Sequence, residues 1–520
     1  MEFLREVSPR DYQEKIFQTC AKKNCLVVLP TGLGKTLIAL MLTVKRMTEF
    51  PGEKVLFLAP TKPLVEQHFN YFKKHLTELF GEMNMFTGSI SAEKRKKSWD
   101  SSDIIFSTPQ CIGNDLKKNL YNLSDVCLLV EDEAHRCLKS YDYVYVAKKY
   151  NMQSKNPRIL GLTASPGSEI SKIKEICKNL LIEDVEIRTR NSDDVKDYLQ
   201  EMEFERVNVE FPKEFEEIKT HLRRLSNKYT EELRNRNLLF RIPTKTELIS
   251  LQKKFSFIIS QGNKNFNYMI GASICAQLIK LQHALELLET QTMKGFNEYL
   301  KNLVEQAEKN QSKGVVKLVS TPEFNFSLVK SEELLKKDVE HPKIEKVLEI
   351  IKNEKIEKDQ LKIMIFTQFR DTASVISNKI NLLGILKSKI FVGQLVKKNI
   401  GMTQKEQKKI IEEFSEGKID ILCATCIGEE GLDIPEVDAV IFYEPVASAI
   451  RTIQRSGRTA RLSRGKVIVL VTKKTRDEAY YYSSKSKEKK MGAAISSIKE
   501  EMANGKKLKE DSSQKTIDNY

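Results

Sequence analysis

The sequence predicts an α/β protein: two parallel-sheet units with an all-helical insert between them. Short apolar runs alternate with charged amphipathic stretches up to about residue 212, and the same rhythm returns from about residue 343 to 472. Between the two, strand-like runs nearly vanish and long helical stretches replace them. A chain of 520 residues also exceeds one ordinary core, since domains of ~100–200 residues are the norm.

The first unit is placed at residues 1–212. Its apolar runs fall at 25–29, 55–58, 104–107, 127–130 and 159–162, each followed by a turn or a small-residue motif. Runs that are apolar throughout, rather than alternating, fit strands covered on both faces, as in a parallel sheet. Ligands of such sheets bind at the carboxyl ends of the strands. The insert is placed at 213–342, with helical stretches at 215–239, 246–259 and 268–309. Its first part is crowded with Arg223, Arg224, Lys228, Arg234, Arg236, Arg241, Lys245, Lys253 and Lys254. Such a face suits a polyanion, the plainer alternative being a solvated helix surface. The second unit is placed at 343–475, with runs at 363–366, 390–392, 419–424, 439–443 and 467–471. Residues 476–520 are rich in Lys, Glu and Ser and carry a basic cluster at 485–490, so a basic, partly disordered tail is expected there.

Bulk properties narrow the function. Charged residues make up 30% of the chain and the formal net charge is +15, which favours nucleic acid as partner. No apolar run approaches the ~18 residues of a membrane span, and the first residues lack the apolar stretch of a signal peptide. No membrane partner is expected, and the location expected is cytoplasmic, at the nucleoid in a prokaryote. Nine cysteines at irregular spacing argue against a disulfide framework. Cys423 and Cys426 have CxxC spacing but lack the second pair of a four-thiolate zinc site, so they read as small residues at a strand end.

The chemistry lies in motifs of fixed order. Pro30-Thr31-Gly32-Leu33-Gly34-Lys35-Thr36 joins a strand to a helix; its glycines turn backbone N–H groups toward a phosphate and the helix N-terminus adds a dipole. Lys35 would reach the β and γ phosphates of ATP, and Thr36 would hold Mg²⁺. Asp132 and Glu133 end an apolar strand: Asp132 would bind Mg²⁺ and Glu133 would position or deprotonate the attacking water. His135 and the segment Thr163-Ala164-Ser165-Pro166 would couple this site to the rest of the protein. Near the other end, Gln454-Arg455-Ser456-Gly457-Arg458-Thr459-Ala460-Arg461 sets Arg458 and Arg461 three apart, on one face if helical, where they would act as arginine fingers from the second unit, with Gln454 completing the segment. Gly431 and Asp433 would contact the nucleotide or the opposing unit. Thr61, Lys62, Thr87, Gly88 and Thr108 follow strands of the first unit, and Gln368 and Thr425 follow strands of the second. Small hydroxyls and amides at strand ends suit nucleic-acid phosphates.

Together these residues resemble a superfamily 2 helicase. Gln13, within Arg10-Asp11-Tyr12-Gln13, is similar to the adenine-reading glutamine upstream of the phosphate loop. Within the superfamily the chain resembles the archaeal Hef helicase and its relative, the Fanconi anaemia group M type DNA translocase. The segments that carry this are Leu29-Pro-Thr-Gly-Leu-Gly-Lys-Thr36, Gly161-Leu-Thr-Ala-Ser-Pro-Gly167, Ile427-Gly-Glu-Glu-Gly-Leu-Asp-Ile-Pro435 and Thr475-Arg-Asp-Glu-Ala-Tyr-Tyr-Tyr482. The resemblance implies two RecA-like domains around a thumb-like insert that grips branched DNA, here through Arg223, Arg224, Arg234 and Arg236. It implies ATP-driven unwinding or branch migration at stalled forks and Holliday-type junctions, with a sliding clamp or a separate nuclease as protein partners. The Glu-Arg-Lys signature of the XPF-type nuclease is not found after Arg476, so cleavage is not expected. Two alternatives stand beside the DNA motor: a double-stranded RNA-dependent ATPase of the RIG-I and Dicer type, and a non-hydrolysing clamp. The full set of Lys35, Asp132, Glu133, Arg458 and Arg461 disfavours the clamp.

Overall fold

The structure is a computed structural model and describes residues 3–77, 80–190, 192–198, 201–262, 265–358, 360–393, 401–425, 434–446, 448 and 465–503. Helix α1 (Asp11–Lys22) leads into β1 (Cys25–Val28). The chain then alternates through α2 (Lys35–Glu49), β2 (Lys54–Leu58), α3 (Lys62–His75), β3 (Met83–Phe86), α4 (Ala92–Ser101), β4 (Ile104–Ser107), α5 (Pro109–Lys117), β5 (Val126–Asp132), α6 (Asp142–Gln153), β6 (Ile159–Thr163), α7 (Ile170–Asn179) and β7 (Asp184–Ile187). These strands form one parallel sheet in the order β3-β4-β2-β5-β6-β1-β7. Leu26, Val28, Leu56 and Leu129 pack into a core on one face, while Cys25, Val27, Val55 and Val130 pack into a core on the other. Helices cover both faces, which is why the runs are apolar throughout.

The next strand, β8 (Met202–Val209), falls within residues 1–212 yet belongs to the second sheet. It pairs in parallel with the strand Gly465–Thr472 from Met202↔Gly465 to Val209↔Thr472. As an edge strand it exposes Glu203 and Phe204 and buries Val207 and Val209, so it lacks the solid apolar run that marked the other strands. The second sheet therefore gains its first strand before the insert begins.

The insert comprises α8 (Lys213–Asn235), α9 (Lys245–Ser260), α10 (Phe266–Thr290), α11 (Met293–Glu308), α12 (Lys313–Val319) and α13 (Pro322–Lys336), packed around Leu222, Leu225, Leu278, Leu281, Phe296 and Phe324. The single helical stretch expected at 268–309 is two helices. Thr292 breaks it as an N-cap, its hydroxyl accepting from Gly295 N at 3.1 Å. The chain continues through α14 (Lys343–Glu357), β9 (Ile363–Phe366), α15 (Arg370–Leu382), β10 (Ser388–Phe391), α16 (Gln404–Ser415), β11 (Ile421–Ala424), β12 (Ala439–Phe442) and β13 (Gly465–Thr472). The second sheet runs β10-β11-β9-β12-β13-β8, again all parallel. Cys423 is buried on β11, and Cys426 lies outside the described residues.

Within the expected basic tail, the part expected to be disordered, 506–520, lies outside the described residues. Residues Arg476–Ala503 form a helix that joins the two units. At its start Asp477 Oδ2 lies 2.5 Å from Lys343 Nζ, both side chains fully buried. Arg206 of β8 lies over the Tyr481 ring at 4.8 Å and donates to Tyr482 OH at 2.9 Å. Further along, Ala494, Ile495 and Ile498 enter the core of the first unit, and Lys174 Nζ meets Glu501 Oε2 at 2.9 Å. The apolar stripe at 491, 494, 495 and 498 has helical spacing but is narrow, and the surrounding Lys and Glu masked it. No helix among the described residues is long and apolar enough to cross a membrane.

One core residue is anomalous. Glu131 of β5 is fully buried, and neither carboxylate oxygen has a hydrogen-bond partner among the described residues. Burial drives its pKa well above the usual carboxylate value, outweighing the nearby Cys137 thiol, so the carboxyl is held neutral. The unfolded chain releases this proton near pH ~4.3, whereas the folded chain keeps it. Stability is therefore lost as pH rises above ~4.3, by up to ~1.4 kcal/mol per unit until the folded pKa is reached. Glu131→Gln should remove that part of the decline in urea-unfolding titrations across pH; an identical pH profile would contradict a neutral, buried Glu131. A second expectation concerns the joining helix. Ile498→Asp places a charge in an apolar slot, a cost above the ~1.4 kcal/mol that makes a tenfold change in an open population. Tryptic cleavage in the basic run at 485–490 should accelerate at least ~10-fold, and an unchanged rate would mean that the helix is not docked.

Candidate nucleotide site and nucleic-acid edge

Parallel pairing places the carboxyl ends of β1, β5 and β6 side by side, and the predicted phosphate and carboxylate motifs emerge there. After β1 the loop turns at Gly32 (φ 88°) and Gly34 (φ 73°), left-handed conformations that favour glycine. Gly34 has a second reason to be glycine: a Cβ there would lie 2.3 Å from Gln13 Nε2. Leu33 is buried in the core, and its carbonyl accepts from Tyr12 OH at 3.0 Å and from Gln13 Nε2 at 3.1 Å. Gln13 also caps α1, accepting from Arg10 N at 2.8 Å. Its amide is thus laid across the loop. Lys35 Nζ donates to Leu29 O at 2.9 Å, so its ammonium sits within the loop. Thr31 is half-buried in the first turn of the loop.

At the end of β5, Asp132 is nearly buried and Glu133 takes a left-handed conformation (φ 52°) that ends the strand sharply. Tyr143 OH donates to Asp132 O at 2.6 Å and fixes the strand end to α6. Burial pushes the Asp132 carboxyl up, but the His68 ring, its hydrogen bond and the Lys35 charge outweigh this and hold it below the usual carboxylate value. It is therefore ionised. His135 Nδ1 lies 3.2 Å from Thr163 Oγ1 and 3.2 Å from Glu133 Oε2, and Ser165 N donates to Thr163 Oγ1 at 3.1 Å. The predicted coupling segment and His135 are in direct contact. Thr36 and Asp132 each contact one nitrogen of the same ring, His68. A hydroxyl and an ionised carboxylate are hard-oxygen donors of the kind Mg²⁺ takes, the carboxylate through a water as Mg²⁺ commonly allows, beside a loop suited to phosphates, so their chemistry fits the metal.

His68 is the member that sequence reasoning missed. It lies 32 residues from Thr36 and 64 from Asp132, and nothing local signals the contact. Arg95 was missed as well. It binds Asp115 through Nε and Nη2 at 2.6 and 2.5 Å and donates to the carbonyls of Thr87 and Ile90, tying the turn after β3 to α5.

The other half of the same edge belongs to β2, β4 and β3. Thr61 is the N-cap of α3 and its hydroxyl is buried without a partner among the described residues; Lys62 follows, 3.6 Å from Glu66. Thr108 is the N-cap of α5. Thr87 Oγ1 lies 2.8 Å from Ser89 Oγ, and Gly88 has open space beside it. In the second sheet Gln368 and Thr425 follow the neighbouring strands β9 and β11. Gln368 N donates to Glu444 Oε1, and Thr425 N donates to Phe391 O at 3.1 Å. On α8 the four arginines divide. Arg223 pairs with Glu289 at 3.0 Å, and Arg236 with Glu232 at 3.3 Å, whereas exposed Arg224 and Arg234 have no acidic partner among the described residues. Gly431, Asp433, Gln454, Arg458 and Arg461 lie outside the described residues.

Comparison with known proteins agrees with this layout. Three family models match in succession: DEAD/DEAH box helicase over residues 10–173, the helical bundle of a putative ATP-dependent RNA helicase over 214–362, and the helicase conserved C-terminal domain over 342–463. The crystal structure of the Pyrococcus furiosus Hef helicase domain is 42% identical, with a TM-score of 0.70 over 93% of this chain and 100% of that one. A putative ATP-dependent RNA helicase of Methanocaldococcus jannaschii is 40% identical over 94% of this chain and 60% of its own length. The ATP-dependent DNA helicase fml1 of Schizosaccharomyces pombe is 35% identical over 90% and 57%, and the Fanconi anemia group M protein homolog of Mus musculus 33% over 94% and 26%. The chain thus spans less than two thirds of each of these three curated relatives. It belongs to the superfamily 2 helicases of the Hef and Fanconi anaemia group M type and contains the ATP-dependent helicase portion of that family.

Proposed function

We propose that this chain is an ATP-dependent DNA helicase or translocase that acts on branched DNA, forks and Holliday-type junctions, in repair and fork restart. The observation that carries this reading is the divided sheet edge of the first unit. One half gathers the phosphate loop, Asp132, Glu133 and His135; the other gathers Thr61, Lys62, Thr87, Gly88 and Thr108 on neighbouring strands. DNA as substrate is supported by relatives named as DNA helicases and by Arg224 and Arg234 on the insert, exposed and without an acidic partner among the described residues. The working place is the cytoplasm, at the nucleoid in a prokaryote, and a sliding clamp or a separate nuclease would be the protein partners.

In this reading Gln13 reads the adenine, and Thr31 to Thr36 wrap the phosphates with backbone N–H groups and the Lys35 ammonium. Bound at Thr36 and Asp132, Mg²⁺ would supply positive charge to the β and γ oxygens. Water adds to the γ phosphorus while the bond to the β–γ bridging oxygen breaks; ADP leaves with that oxygen, and the water's proton passes to Glu133. As the family resemblance implies, Gln454, Arg458 and Arg461 would complete the site from the second unit, and Gly431 and Asp433 would contact the nucleotide or the opposing unit. His135 and Thr163 pass the change at the γ position toward the strand ends that hold DNA.

The test is steady-state ATP hydrolysis with fork DNA, linear duplex, single-stranded DNA and double-stranded RNA. Fork DNA should stimulate most; strongest stimulation by double-stranded RNA would overturn the DNA reading, an outcome the Methanocaldococcus relative's name makes worth including. Lys35→Ala should lower hydrolysis by ~10²-fold or more while fork binding survives. The arginine pair gives a separate expectation. Arg224→Ala with Arg234→Ala should reduce the salt dependence of fork binding by about two phosphate contacts, whereas Arg223→Ala, whose partner is Glu289, should act on stability. An unchanged salt slope in the double variant would mean that α8 does not meet the phosphates.

A further inference from the structure

We propose that His68 is a positioning residue for the metal site, the outer partner of both Thr36 and Asp132. The inference rests on the ATP–Mg²⁺ reading above and assigns a residue that no motif in the sequence singles out. His68 lies on α3, nearly buried, with its ring against Phe57 at a centroid distance of 4.5 Å. Its Nε2 lies 2.8 Å from Asp132 Oδ2 and its Nδ1 lies 3.4 Å from Thr36 Oγ1. Nε2 thus faces the carboxylate and Nδ1 faces the hydroxyl, one ring nitrogen to each. In the tautomer that carries its proton on Nε2, the ring also offers Nδ1 as acceptor to the Thr36 hydroxyl. Both bonds orient the metal-facing atoms. In that tautomer the Thr36 hydroxyl gives its proton to the ring and keeps its lone pairs for the metal, and Asp132 is held through Oδ2.

The placement on α3 adds a second role for the same contact. α3 starts at Lys62, directly after Thr61, so one helix carries a nucleic-acid candidate at its first turn and the metal-site ring further along. Val65 and Phe72 anchor α3 in the core. A shift of α3 on DNA binding would therefore move the ring that orients Thr36 and Asp132. This gives a direct physical path between the two halves of the edge, 2.8 Å from the carboxylate.

The experiment is a Mg²⁺ titration of fluorescent ADP binding, without DNA, for the wild type, His68→Ala and His68→Gln, with thermal melting in EDTA as a folding control. Outer partners of metal ligands typically contribute 10–100-fold to metal affinity. His68→Ala should raise the Mg²⁺ concentration for half-maximal binding by ~10-fold or more, leave binding in EDTA unchanged, and melt near the wild type. His68→Gln retains a donor for Asp132 and should recover much of the loss. An unchanged Mg²⁺ requirement in a folded His68→Ala protein would overturn the assignment, as would a loss in EDTA equal to that in Mg²⁺, which marks general packing. Wild-type binding that ignores Mg²⁺ would overturn the metal-site reading itself.

Discussion

Parallel pairing is the constraint on which the rest depends. Because every strand of each sheet runs the same way, every chain exit at a carboxyl end falls on one edge. Residues far apart in sequence then become neighbours without any local device: the loop after β1, the carboxylates after β5 and the hydroxyls after β6 meet because Val28 is in register with Thr163 and Asp132 with Leu162. The price is burial on both faces, which limits the strands to apolar runs and pushes polar chemistry to their last residue. Glu131 shows the limit of that rule, one residue before Asp132 and with no charged partner among the described residues.

A second set of contacts ties the units together. The C-terminal end of α10 docks on helices of the second unit: Gln291 Oε1 accepts from Thr372 Oγ1 of α15 at 2.8 Å, and Lys343 Nζ of α14 donates to Thr290 O at 3.3 Å. Glu289 gathers Lys219, Arg223 and Arg476 around one carboxylate. The buried Lys343–Asp477 pair lies at the same junction, where burial raises the Asp477 carboxyl and Lys343 opposes the rise. A buried pair of this kind contributes less to stability than to fixing one arrangement, since losing either partner strands the other charge. The insert is thus held to the second unit by directional bonds, while the helix 476–503 reaches back to the first unit through Ile495 and Ile498.

Much of this was legible in the sequence where a local pattern carried it. Solid apolar runs marked the buried strands, and glycine spacing marked the phosphate loop with its two left-handed residues. What escaped was set by distance or by mixed patterning. β8 alternates because it is an edge, so its partner 263 residues away could not be read from it. The apolar stripe of the last helix is four residues wide in a field of charges. His68 reads as an ordinary polar residue on a basic helix until the fold lays it between Thr36 and Asp132, and the pairing of Arg223 depends on where Glu289, 66 residues away, ends up.

The central claim is that one sheet edge is divided between nucleotide and nucleic acid. Hydrogen–deuterium exchange of the whole chain, with a non-hydrolysable ATP analogue and Mg²⁺ in one arm and fork DNA alone in the other, tests it most directly. The account predicts that the nucleotide protects amides at 31–38 and 132–136, and that DNA protects 61–66, 87–90 and 108–112. Protection of both sets by the same ligand alone, or the reverse assignment, would contradict the division.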